Sequence, residues 1–358
     1  MDQTFDYEPK LVSVTSASLF ALDEALLLEL RASPASMAAD PAQRKAELLK
    51  LLFGSDMKAF ASAGGHSTVA MDTWRKRRAD CLSLSVLSVA LARHLNLPAQ
   101  IQEVRVPVYY DRRGGVDFLN AHVNVLLRND RTLDAIGRTF PPGDIVVDFE
   151  PQVGSRQRGT ALSDRAVLAR YLNNMGAEHL AMGEDRLAYA NFKAAILTDP
   201  GHASSYGNLA QLYLQAGQQA KAEALLKHAL TLNGTNYLAL GELHRLLLAQ
   251  GRTAEAAAYE QNLLSRRAQD PYYWLGLGLD HLQGARYQPA ADALERALAL
   301  TSGFAEVHRN LAVAYSRLGQ VHKAREQLAV LGVIESDAAS LAELNRKLGQ
   351  PQLAPAMR

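Results

Sequence analysis

YGNLAQLYLQAGQQAKA, residues 206–222, holds the pattern that decides the fold. Its Ala210 belongs to a series, Gly176, Ala210, His244, Gly278 and Ala312, spaced 34 residues apart without a slip. Seven residues after each member comes Gly183, Gly217, Gly251, Ala285 or Gly319. Twelve residues after each comes an alanine: Ala188, Ala222, Ala256, Ala290 or Ala324. Tyr206 and Trp274 share one register of this period, Tyr213 and Tyr315 another, and Pro200 closes the first unit in phase. A fixed period of this length marks stacked supersecondary units.

Helix packing explains the pattern. Small residues at fixed places let two antiparallel helices approach, and large ones fill the groove between successive pairs. The glycine ends the first helix where a left-handed residue is required. This pattern resembles the tetratricopeptide repeat, read as five units over about 171–334. The third unit is the weakest, with His244 at the small position and Glu260 at a usual apolar one. SDAASLAELNRKLG, 336–349, reads as a further amphipathic helix capping the stack, begun by Ser336 and Asp337. The resemblance implies a concave face that binds peptides or protein segments. Tyr206, Asn208 and Asn310 are the candidate partner-binding residues there, unless they serve repeat architecture alone.

The 358 residues fit two domains, 1–160 and 161–350, and the 48% hydrophobic and 21% charged fractions exclude disordered and fibrous classes. Nineteen basic and nineteen acidic residues lie within 1–160, nineteen and eighteen beyond it. Neither half has the basic excess of a nucleic-acid binder. No apolar run approaches the ~18 residues of a membrane span. The single cysteine, Cys81, excludes an intrachain disulfide. With no HExxH and no carboxylate–histidine cluster at ligand spacing, no metal is expected. No glycine-rich phosphate loop follows a strand, and no cofactor is expected.

The first half predicts helices near 18–32, 41–53 and 81–95, then strands over 99–110, 119–127 and 144–150, an α+β order. Asp80 would cap the third helix and place Cys81 at its N-terminus, where the helix dipole favours a thiolate. Asp80 partly opposes that effect. Along AHVNVLL the alternation puts His122 and Asn124 on one face, and along DIVVDF it puts Asp144, Val146 and Asp148 together. Antiparallel pairing with His122 opposite Asp148 sets Asn124 against Val146 and Leu126 against Asp144. An acid behind one imidazole nitrogen leaves the other to take a thiol proton. The run Arg75–Arg78 reads as a solvated face balanced by local acids, or less readily as an attractor of acidic substrates. His66 reads as a loop histidine.

DTWRKRRADCLSLSVLSVALARHLNLPAQIQEVRVP, NAHVNVLL and IVVDFEP together resemble the transglutaminase-like superfamily of cysteine proteases and amidases, over a core of about 66–152. The nearer resemblance is to a bacterial group in which such a domain precedes tetratricopeptide repeats. The fold class expected is thus an α+β papain/transglutaminase-like domain followed by an all-α tetratricopeptide solenoid. The resemblance implies Cys81 as nucleophile, His122 as general base and acid, and Asp148 as orienter. The group's usual Gly-Asn before the cysteine is replaced here by Ala79-Asp80. The Cys81 backbone N–H is the natural first oxyanion donor, with Trp74, Asn120 or Asn124 as candidates for the second.

Two functions follow as expectations. One is a thiol-dependent hydrolase or acyl transferase on an amide or isopeptide bond, hydrolysis preferred, with the repeats holding a protein substrate or regulator. The alternative is a non-catalytic interaction scaffold with a degenerate transglutaminase-like domain. The nearer group resembles envelope proteins made with a removable export signal, which favours the periplasm slightly over the cytoplasm.

Overall fold

A computed structural model describes residues 5–54, 60–62, 66–113, 116–128, 144–149, 159–268, 271–300 and 305–334. The expected helix at 336–349 and residues 129–143, between the strands expected at 119–127 and 144–150, lie outside them. The chain divides into two compact units, Met1–Glu260 and Gln261–Arg358.

The first unit opens with a 3-10 turn, Pro9–Leu11, followed by α1 (Ser16–Leu19), α2 (Glu24–Arg31), α3 (Pro34–Met37) and α4 (Pro41–Phe53). The single helix expected over 18–32 is broken, because the Asp23 carboxylate accepts from Leu26 N at 2.9 Å and starts a new helix there. Contrary to the expectation for apolar runs, Pro9–Arg31 is long and apolar enough by composition to cross a membrane. In this structure it is broken into turns and short helices, with Leu19, Leu26 and Leu30 buried in the core.

β1 (Ala61–Ser62) pairs in parallel with β2 (Arg78–Ala79), which flank α5 (Ala70–Lys76). Next come α6 (Cys81–His94), β3 (Ala99–Arg113), β4 (Val116–Leu127), β5 (Ile145–Val147) and β6 (Thr160–Ala161). The last four form one antiparallel sheet, in the order β5-β4-β3-β6. α6 is buried on every side from Leu82 to Ala92, its serines included, as a helix enclosed by its neighbours is. Leu84, Val86, Leu87 and Leu91 are buried within it, packed with Ile101 of β3 and with Val123, Val125 and Leu127 of β4. Helices gathered on one sheet thus make the α+β half of the chain, and α6 is its axis.

Five helical hairpins follow: α7 (Asp164–Ala181) with α8 (Asp185–Thr198), α9 (Ala203–Gln215) with α10 (Gln219–Leu232), α11 (Tyr237–Ala249) with α12 (Thr253–Arg267), α13 (Pro271–Gln283) with α14 (Tyr287–Leu300), and α15 (Ala305–Arg317) with α16 (Val321–Ile334). The period seen in the sequence has a backbone cause. Gly183, Gly217, Gly251 and Gly319 lie at φ between 71° and 74°, and Ala285 takes the same left-handed place at φ 54°. The N–H after each returns to a carbonyl of the helix just ended, as Gln218 N to Tyr213 O at 2.8 Å and Arg286 N to His281 O at 2.8 Å. Only alanine among the five carries a Cβ into that conformation. Ala285→Gly is therefore expected to raise the stability of the second unit by about 0.5–1 kcal/mol. Chemical denaturation reads this, and an unchanged midpoint would count against a strained Ala285.

Candidate functional site

The N-terminus of α6 is built from both sides. Asp80 Oδ1 accepts from Ser83 N at 2.7 Å, which caps the helix and makes Cys81 its first residue. Asp80 Oδ2 accepts from Ser67 Oγ at 2.5 Å. Thr68 N donates to Ser83 Oγ at 2.8 Å, so residues 67 and 68 are stitched along the start of α6. From the other side, α7 reaches the same loop. Asn174 Nδ2 donates to Ser67 Oγ at 3.0 Å, and the buried Glu178 takes Ser67 N at 2.8 Å and His66 Nδ1 at 2.6 Å. His66, expected as a plain loop residue, is a tether to the first repeat. Its partner lies 112 positions away, and no local pattern carries that signal.

Cys81 is half-buried at the margin of the core. His122, on β4, is buried, and its Nε2 stands 2.9 and 3.0 Å from the two carboxylate oxygens of Asp148. The two side chains are 3% and 8% exposed, so the pair is shielded from competing water. A carboxylate on Nε2 fixes the tautomer with its proton there and leaves Nδ1 as the basic nitrogen. α6 packs against β4, so the element carrying Cys81 borders the one carrying His122.

The register behind this differs from the expected one by two residues. Val125 faces Val147, Leu126 faces Val146 and Leu127 faces Ile145. Asp148 therefore lies just past β5, and its carboxylate crosses diagonally to His122 instead of standing opposite it. A two-residue slip keeps every side chain on its face, which is why the alternation still groups His122 with Asp148.

The oxyanion candidates separate. Trp74, on α5, lies beneath the Arg77 guanidinium, 4.0 Å from its ring centroid. Asn124 is fully buried, and its Oδ1 accepts from Gln102 Nε2 at 2.8 Å across the β3–β4 pair. The Asn120 side chain lies outside the described residues. The basic run is locally balanced at Arg75, which pairs with Asp23 at 3.0 Å and with Asp72 at 3.5 Å. Among the described residues no cluster of three or more histidine, cysteine or acidic side chains is placed to hold a metal ion.

On the repeats, Tyr206 is half-buried, its hydroxyl donating to Pro200 O at 3.1 Å and its ring 4.5 Å from that of His228. Asn208 is buried and donates to Asn173 Oδ1 at 3.0 Å, joining α9 to α7. Asn310 Nδ2 donates to Glu306 O within α15 at 2.7 Å.

Residues 191–224 match the tetratricopeptide repeat family. The helical hairpins on either side continue the same 34-residue period, so the second half is an all-α array of tetratricopeptide type. Among solved structures, pilF of Pseudomonas aeruginosa is 20% identical, over 52% of this chain and 85% of its own, with a TM-score of 0.32. YrrB, described as a TPR protein with an unusual peptide-binding site, is 20% identical over 50% of this chain and 92% of its own, TM-score 0.27. MamA is 18% identical over 52% and 98%, TM-score 0.26. No curated protein matches this chain.

Proposed function

We propose that this protein is an interaction scaffold whose repeats bind a peptide or protein partner. The observation that carries the reading is the five-hairpin period, matched to the tetratricopeptide family over residues 191–224, from α8 into α10. Such units leave grooves lined by alternating aromatic and polar side chains, suited to extended segments. In this reading the α+β half is a rigid platform, and Tyr206 and Asn310 lie on partner-facing surfaces.

One specific observation favours a second reading, a thiol hydrolase or acyl transferase of transglutaminase-like type. It is the shielded His122–Asp148 pair, on a strand bordered by the helix that Cys81 begins. There the Cys81 thiol would give its proton to His122 Nδ1 and attack an amide carbonyl. The tetrahedral oxyanion would take the Cys81 N–H and, for a second donor, Trp74 or Asn120. His122 would return the proton to the leaving amine, and water or another amine would release the thioester. Asn124, whose oxygen is engaged by Gln102, fits a role in holding the sheet better than one as a donor.

One set of variants separates the readings. Used as bait, wild type and Cys81→Ala should retain the same partners, and Tyr206→Glu combined with Asn310→Lys should lose them. Retention by the repeat variant would overturn the scaffold reading. In parallel, a thiol-reactive amide probe should label Cys81 at the same rate in wild type and His122→Ala if the protein is a scaffold. Selective labelling of Cys81 that falls about a hundredfold in His122→Ala would establish the second reading instead.

A further inference from the structure

Phe5, Asp6, Tyr7 and Glu8 lie against the first two hairpins. The Phe5 ring stacks on Tyr189 of α8 with centroids 5.2 Å apart and meets the edge of Tyr213 of α9 at 5.6 Å. Tyr189 and Tyr213 face each other edge-on at 6.4 Å, so the three rings form one cluster. Glu8 pairs with Arg186 at the start of α8, and the turn at Pro9–Leu11 rests on the same helix. Phe5, Asp6 and Tyr7 of this arm form one wall of a cavity of about 790 Å³, whose other walls include Tyr189, Lys193, Leu209, Tyr213, Lys221 and Leu225. Its size falls within the range of ligand sites. Lys221 sits over the Tyr213 ring at 5.3 Å from its centroid. The cavity is thus lined by two tyrosines and two lysines on the repeat side, and the segment that forms its other wall is aromatic and acidic in alternation.

We infer that the groove between α8, α9 and α10 is a docking site for a partner peptide carrying an aromatic residue followed by carboxylates, held in cis by Phe5–Glu8. The inference rests on the reading of the repeats as a protein-binding array, and it names the groove and the chemistry of the partner. The arm supplies the chemical template. The Phe5 ring meets both tyrosines, the Glu8 carboxylate pairs with Arg186, and Asp6 lines the same cavity as Lys193 and Lys221. Tethering gives the arm an effective concentration on the order of millimolar, so a peptide in trans competes against it and binds the intact chain weakly. Removing the Phe5 ring takes away the ring stack that seats the arm and opens the groove.

The test uses fluorescein-labelled acetyl-Phe-Asp-Tyr-Glu-amide and fluorescence anisotropy on the full chain. Phe5→Ala should bind the peptide at least about tenfold more tightly than wild type. Adding Arg186→Glu should reverse most of that gain, with circular dichroism unchanged in both variants. Absence of binding to Phe5→Ala, or binding indifferent to Arg186→Glu, would overturn the inference and make the arm a structural clasp. A wild-type dimer that Phe5→Ala dissolves would overturn it too, by making the occupant the arm of a second copy. If the peptide fails and the baits still lose their partners with the Tyr206 and Asn310 changes, the groove assignment falls and the scaffold reading stands.

Discussion

Replacing Phe192 by alanine is expected to lower the stability of the first unit by about 3–5 kcal/mol. The ring is fully buried in α8, and α7 approaches it through Gly176. A Cβ built on Gly176 would stand 2.6 Å from Cδ1 and 2.7 Å from Cε1 of that ring. The aromatic therefore rests against bare backbone, which cannot move in to fill the space it leaves. The same contact makes Gly176→Ala destabilising by about 1–3 kcal/mol through overpacking. Together the two changes should offset one another, because the new methyl occupies part of the hole. Urea denaturation of the four proteins in the cycle reads the coupling, expected at about 1–2 kcal/mol. Simple additivity would show that helix α7 relaxes away from the ring.

Acidification should weaken the first unit through His202. This residue stands at the N-cap position of α9, is buried, and has Nδ1 2.8 Å from Ser205 Oγ. Burial, with Arg170 as a second cause, pushes its pKa down to about 3 from 6.5. The folded state thus keeps the ring neutral where the unfolded chain protonates it. The stability contributed is complete above pH 6.5 and is lost as the pH falls from there toward 3. The slope is about 1.4 kcal/mol per pH unit, or about 2–3 kcal/mol between pH 6.5 and 4.5. His202→Gln removes the titrating group, so the variant should lose less stability than wild type over that interval by this amount. Identical pH slopes in the two proteins would rule out His202 as the source.

The two halves of the chain differ in how much of them their residues announce. The repeats are legible because their requirements are steric and recur: a residue able to take φ near 70° at each turn, and a small one wherever a helix meets a ring. Even the exception at Ala285 keeps its place in the period. In the α+β half, side-chain alternation groups His122 with Asp148, but the register remains open, since β5 has three residues and nothing local pins it. The break at Asp23 is a capping choice inside an otherwise continuous helical pattern. α5 and the β1–β2 pair are too short to carry a period. The tether from Glu178 to residues 66 and 67 spans over a hundred positions, and Asn208, read as a candidate for partner contact, is spent on Asn173. Long-range polar pairing is settled by packing, which leaves no spacing in the chain.

The anchoring of residues 66 and 67 by Asn174 and Glu178, with α11 approaching β4, has a consequence for how such a protein can change over time. An array of equal units grows or shrinks by gain or loss of whole units, each one as replaceable as the next. Here the early units are not interchangeable. Deleting the first would strip the loop that brackets Asp80, and deleting the third would remove a neighbour of the sheet. Length variation among descendants of this architecture should therefore fall among α13–α16, which among the described residues pack against one another in sequence.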